Sequence, residues 1–265
     1  MSDVSGVSGP SGGGPGPGGA GPGLRLAVFD LDGTLVDTPR AIVETFEAAF
    51  AAMRTGTGPE RGPGVPGPTP GPEAIRATIG MPLERAWATL LDLPAADPRV
   101  AEGVEQYLRL FRELVLPRSR DLLFPGVVEG LDALRAAGFT LAVATSKFYA
   151  SADALLTAAG LRELFAEVIG ADQVTHPKPH PESGELVLAR LGVPAGAAVM
   201  VGDTTHDLLM ARAAGMRSVA VTYGIHSAAL LAGAEPTWVA GTFDEVVDAI
   251  TSAAPRPPRA TAAAR

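Results

Sequence analysis

The chain has no cysteine among its 265 residues. Disulfides, thiolate-held zinc and cysteine nucleophiles are therefore excluded. Any metal must be held by oxygen or imidazole, and oxygen donors favour a hard ion such as Mg²⁺. No basic stripe is present, the formal net charge is −8 and the pI is about 5.0. A nucleic-acid partner is not expected from such a surface. The apolar runs are short, or broken by Gly, Pro and polar residues, so no membrane partner is expected either. The N-terminus lacks the basic and apolar regions of a signal peptide, and a cytoplasmic location is expected. Lysine is also scarce. Lys plus Arg is 21, yet the only lysines are Lys147 and Lys178. A lysine kept in an arginine-rich chain is a candidate for work that a planar guanidinium does less well.

Glycine and proline are abundant, 32 and 24 respectively, and they cluster. Residues 1–23 and 253–265 carry little to bury and read as disordered tails. Residues 55–72 form a third Gly/Pro-rich segment, read as a flexible surface loop. Between these lie six short β-like runs: LRLAVFD, FTLAVATS, AEVIG, AAVMVGD, RSVAVTYG and the weaker PTWVAG. Such near-continuous apolar runs suit parallel strands covered on both faces. Amphipathic helices separate most of them, ending at glycines such as Gly138 and Gly215. The expected fold is α/β, a doubly wound parallel-sheet (Rossmann-like) core over residues 24–37 and 121–252. Residues 38–120 break the alternation and read as helix only. Ile42, Val43, Phe46, Ala49, Phe50 and Met53 share one stripe there. An inserted α-helical cap domain is expected over 38–120.

Four signatures fall at strand ends. Asp30-Leu31-Asp32-Gly33-Thr34 ends the first. Alternate residues of a strand share a face, so Asp30 and Asp32 are expected to address one site. Two close carboxylates repel, which calls for a shared proton or a cation between them. A D-x-D-G-T string arises by chance at roughly one in 10⁵ positions, too rarely to read as an accidental turn. Thr145, Ser146 and Lys147 end the second strand, where hydroxyls and free N–H groups can cradle an anion. Simple helix capping is the plain alternative. Lys178 lies between Pro177 and Pro179, which hold its backbone and aim one ammonium group. His176 and His180 share an i, i+4 spacing, but the prolines preclude the helix that would make it a metal site. Asp203 follows Gly202, and Asp207 lies about one helical turn on, so both can face the strand ends.

These signatures, in this order, resemble the four motifs of the haloacid dehalogenase superfamily, from about Leu24 to Ile250. "FPGVVEGLDALRAAGFTLAVATSK", "KPHPE" and "VGDTTHDLLMARAAGM" are similar to its phosphoglycolate phosphatase-like branch, and the helical insertion resembles the C1-type cap. The resemblance implies a Mg²⁺-dependent phosphomonoester hydrolase acting on a small phosphorylated metabolite through an aspartyl-phosphate. It implies catalytic roles for Asp30 as nucleophile and Asp32 as acid and base, with Thr145 and Lys178 binding the phosphoryl group. Asp30, Asp32 (through its carbonyl), Asp203 and Asp207 would serve the metal. Ser146, Lys147 and Arg85 join Thr145 as substrate-binding candidates, with Lys147 touching substrate or a neighbouring loop. A monomer or homodimer is expected. A 5′-nucleotidase or pyrophosphatase of the same superfamily is the alternative. Asp32 argues against a dehalogenase, and a lysine-free cap argues against a phosphonoacetaldehyde hydrolase or a phosphomutase. A non-catalytic phospho-accepting module has no use for Asp32.

Overall fold

The structure is a computed structural model that describes residues 23–55 and 69–253. Most of the Gly/Pro-rich segment 55–72 and all but residues 23 and 253 of the two expected tails lie outside the described residues. Six strands form one sheet: β1 (Leu26–Phe29), β2 (Thr140–Ala144), β3 (Glu167–Ile169), β4 (Ala198–Gly202), β5 (Arg217–Val221) and β6 (Trp238–Ala240). All six expected strands are present. Their order is β3-β2-β1-β4-β5-β6, and every pairing is parallel. The chain therefore runs outward from β1 to one edge, then returns to β4 and runs to the other. The β1/β4 boundary is the switch point at which doubly wound sheets open a crevice at their carboxyl ends.

Among the described residues five helices fall between β1 and β2, the first four being α1 (Pro39–Thr55), α2 (Pro72–Arg76), α3 (Leu83–Leu91) and α4 (Pro98–Leu114). A 3₁₀ segment, Leu116–Leu122, leads from them into α5 (Val127–Ala136). Then come α6 (Tyr149–Ala159), α7 (Glu182–Leu191), α8 (Thr205–Ala213), α9 (Ala228–Ala232) and α10 (Phe243–Ser252).

The strands are apolar throughout because both faces are covered. Ala27 and Phe29 point into one apolar cluster with α5, α6 and α10. Leu26 and Val28 point into another with Val187 and Leu188 of α7 and Met210 and Ala211 of α8. The helices before β2 are held by their own aromatic centre. Trp87 of α3 is fully buried. Its ring lies 5.1 Å from Phe46 and 4.6 Å from Phe50, both on α1. Tyr107 of α4 lies 4.7 Å from Phe46. The α1 stripe read from the sequence is buried in full.

Candidate active site

Strand β1 stops at Phe29, so Asp30 and Asp32 lie in the exit turn rather than on the strand. That corrects the reason given for their shared orientation. Asp32 bridges to Val36, and Gly33 between them adopts φ +87, a left-handed conformation open to glycine. A Cβ at Gly33 would also strike the Asp203 carboxylate. The turn thereby brings the β1 and β4 ends together.

Asp30, Lys178, Asp203 and Asp207 are all buried, and they meet at the crevice between β1 and β4. Lys178 Nζ donates to Asp30 Oδ1 at 2.9 Å, to Asp207 Oδ1 at 2.5 Å and to the Ala144 carbonyl at 3.1 Å. All three of its donors are thus used. Asp203 Oδ1 accepts from Thr34 Oγ1 at 3.0 Å, and Oδ2 accepts from the Ile225 N–H at 2.8 Å. Asp207 Oδ2 accepts from the backbone N–H and the hydroxyl of Thr204, at 3.0 and 2.6 Å, at the start of α8. Gly202 is required there, because a Cβ would overlap Asp207. Each carboxylate is therefore aimed before any ligand arrives.

Carboxylate oxygens of Asp30, Asp203 and Asp207 lie within 4.8 Å of one another. Burial raises the Asp30 pKa from 3.8 to about 6, with Lys178 opposing the rise and Asp207 adding to it. Burial, then the charges of Asp30 and Asp207, push Asp203 well up. Burial alone would lower Lys178, but Asp207 and Asp30 outweigh it and hold the ammonium above its usual value. With all three carboxylates ionised, one ammonium would leave an uncompensated buried negative charge, which is why Asp30 and Asp203 hold their protons more tightly here. An all-oxygen donor set of this kind fits a hard divalent cation, whose charge would offset that excess.

Asp32 is placed differently. It is half-buried, its Oδ1 accepts from Thr38 Oγ1 at 2.6 Å, and its Oδ2 meets Lys147 Nζ at 3.1 Å. Its carboxylate is outside the three-aspartate cluster. The Lys147 ammonium also sits 4.2 Å over the Phe111 ring of α4, a cation–π contact. Lys147 thus joins the β2 end to the β1 turn and to the helices before β2. Thr145 and Ser146 are buried beside it. Thr145 Oγ1 accepts from the Lys147 N–H at 3.2 Å, and Ser146 Oγ is buried with no partner among the described residues.

A cavity of about 60 Å³, open to solvent on one side, stands over these groups. Asp30, Asp32, Thr145, Ser146 and Lys147 form its floor. Ile42, Phe46, Ile79, Met81, Leu83 and Phe111 form much of its wall. Arg85 is exposed and does not line it. Its charge is felt instead at His206, whose pKa is lowered chiefly by burial. His176 and His180 do approach one another, with rings 4.6 Å apart, at an exposed position shared with Glu182. They are outside the cavity.

Sequence reasoning missed several members of this arrangement. Thr34 orients the fourth-motif Asp203 and Thr38 the first-motif Asp32; both belong to the DGTLVDT string, but only the six-residue spacing of Thr38 and Asp32 is a local signal. Tyr223 donates to the Thr34 carbonyl at 3.0 Å from beyond β5, where no local pattern marks it.

The Haloacid dehalogenase-like hydrolase family model matches residues 27–221, which takes in every one of these groups except Ile225 and Tyr223. The chain belongs to that family, in its phosphatase class. It is 54% identical over 224 residues to the protein named probable phosphatase IndB of Dickeya dadantii (strain 3937), covering 84% of this chain and 92% of that one. It is 32% identical over 245 residues to a phosphoglycolate phosphatase of Salmonella typhi, covering 86% and 92%. Among solved structures it resembles one titled a predicted phosphoglycolate phosphatase from Haemophilus somnus, with TM-score 0.73 and 25% identity, covering 85% and 97%.

Proposed function

We propose that the protein is a Mg²⁺-dependent phosphomonoesterase that passes the phosphoryl group through Asp30 to water. The observation that carries this reading is the buried meeting of Asp30, Asp203, Asp207 and Lys178 beneath a cavity that also reaches Asp32.

One oxygen of Asp30 is held by Lys178, and the other is left to attack phosphorus in line. The Asp30–phosphorus bond forms as the bond to the ester oxygen breaks. Asp32, at the cavity floor, gives its proton to the departing alkoxide. It then takes a proton from a water molecule that attacks phosphorus, releasing phosphate and restoring the Asp30 carboxylate. Lys178 keeps Asp30 ionised despite its burial. Thr145 and Ser146 offer hydroxyls to the phosphoryl oxygens, and the partnerless Ser146 Oγ has this use open to it. Asp30, Asp203 and Asp207 would hold Mg²⁺, with the Asp32 carbonyl beside them, and the ion would neutralise the phosphoryl oxygens and screen the carboxylates from one another. Helices α1–α4 act as a cap that closes the cavity over the ester's alcohol portion. The physiological substrate is a small phosphorylated metabolite.

Hydrolysis of p-nitrophenyl phosphate by the full chain, with and without Mg²⁺, tests this. Turnover that requires the ion is expected. Absence of turnover with Mg²⁺ would overturn the reading.

A further inference from the structure

The cavity wall above the catalytic floor is chemically one-sided. Ile42 and Phe46 come from α1, Ile79 and Met81 from the turn before α3, Leu83 from α3 and Phe111 from α4. Three separate stretches of chain thus present apolar atoms to one space. Above the floor the polar side chains that reach it are the uncharged Thr78, Tyr107 and Ser151. Thr78 Oγ1 donates to the Ile75 carbonyl at 2.7 Å. Lys147 is the sole Lys or Arg among the described residues that line it. Its ammonium lies at the floor, 3.1 Å from Asp32 and 4.2 Å over the Phe111 ring. The arginines of α1–α3 stay outside. Arg40 pairs with Glu44 in solvent, and Arg76 and Arg85 are exposed. A carboxylate entering this space would lose water and meet no free cation, an uncompensated cost. An apolar group or flat ring would instead exchange water for contact with aliphatic and aromatic walls.

We propose that this cavity is a leaving-group subsite for phosphate monoesters of bulky, uncharged alcohols that carry an apolar or aromatic portion, and that it disfavours esters of small hydroxy acids. The proposal rests on the phosphomonoesterase reading above and adds the substrate class. It separates this chain from the phosphoglycolate phosphatases to which it is similar, since 2-phosphoglycolate carries a carboxylate next to the ester carbon.

The test is kcat/KM, measured with Mg²⁺, for three unactivated esters of primary alcohols: benzyl phosphate, ethyl phosphate and 2-phosphoglycolate. p-Nitrophenyl phosphate reports whether the protein hydrolyses any monoester. Benzyl phosphate is expected to exceed both of the others by at least about tenfold, the scale of one well-filled apolar pocket. Turnover in which 2-phosphoglycolate equals or exceeds benzyl phosphate would overturn this inference and leave the phosphomonoesterase reading standing. Failure on every ester, p-nitrophenyl phosphate included, would overturn that reading and the inference with it. Met81→Lys supplies a second arm by placing a cation on the wall. The benzyl-to-glycolate ratio is expected to fall by about tenfold or more. An unchanged ratio in the folded variant would contradict the assignment of this wall to the alcohol portion.

Discussion

At the scale of single residues, Lys178 holds the site together. Among the described residues it is the only cation bonded to the buried aspartates, and it uses every donor it has. Lys178→Met should therefore leave Asp30 and Asp207 facing one another without an ammonium. A loss of about 3 kcal/mol in urea unfolding of the metal-free protein is expected, the usual scale for stripping one partner from a buried pair. Added Mg²⁺ should recover part of it. A variant as stable as the parent without metal would contradict this role. Lys178→Arg should not restore activity, because a planar fork cannot reach both carboxylates and the Ala144 carbonyl as a compact ammonium does. Much of this was legible beforehand. Two lysines in an arginine-rich chain, both within the four signatures, pointed to the site directly. Hydrogen-bond partners were not legible, because Thr34–Asp203 and Lys178–Asp30 join residues far apart in sequence. The strand-alternation argument for Asp30 and Asp32 reached a shared cavity by the wrong route, since the strand had already ended and the Gly33 turn does the aiming.

At the scale of elements, α1, α3 and α4 cohere through Trp87. A Cβ at Gly103 of α4 would overlap the Trp87 ring, so the helices pack closely there. The indole nitrogen of Trp87 is buried with no partner among the described residues. Its contribution is therefore packing, not hydrogen bonding. Trp87→Ala should cost about 3–5 kcal/mol in urea unfolding, and Trp87→Phe much less, because the ring contacts with Phe46 and Phe50 largely survive. Equal losses in the two variants would contradict that account. The helical character of this stretch was plain from the 3.6-residue period of α1, and the strands from their uninterrupted apolar runs. How three helices converge on one tryptophan was not, because packing partners across elements leave no periodic signal. The cavity wall was hidden for the same reason: its residues are spread from Ile42 to Ser151.

At the scale of the whole molecule, folding brings three carboxylates into one dry crevice, and the cost depends on pH. Asp30 titrates near pH 6 in the metal-free protein, against an ordinary value of 3.8. Between those values the folded state binds more protons than the unfolded one, so this group's contribution to stability falls as pH rises. His206 and His226, with pKa values lowered by burial, run the other way. The gain in Tm on adding Mg²⁺ largely cancels the histidine contributions and isolates the cluster. A cation competes with protons for the same oxygens. The Tm gain should be large at pH 7.5 and shrink as pH falls through about 6, the value for Asp30. A gain that stays constant or grows toward pH 5 would contradict the placement of the ion among these aspartates. The central claim is that Asp30 takes the phosphoryl group, and Asp30→Asn tests it most directly, because the amide keeps the shape and removes the nucleophile. With Mg²⁺ and p-nitrophenyl phosphate, kcat should fall at least about 10³-fold in a variant that remains folded; turnover at the parent rate would contradict the account.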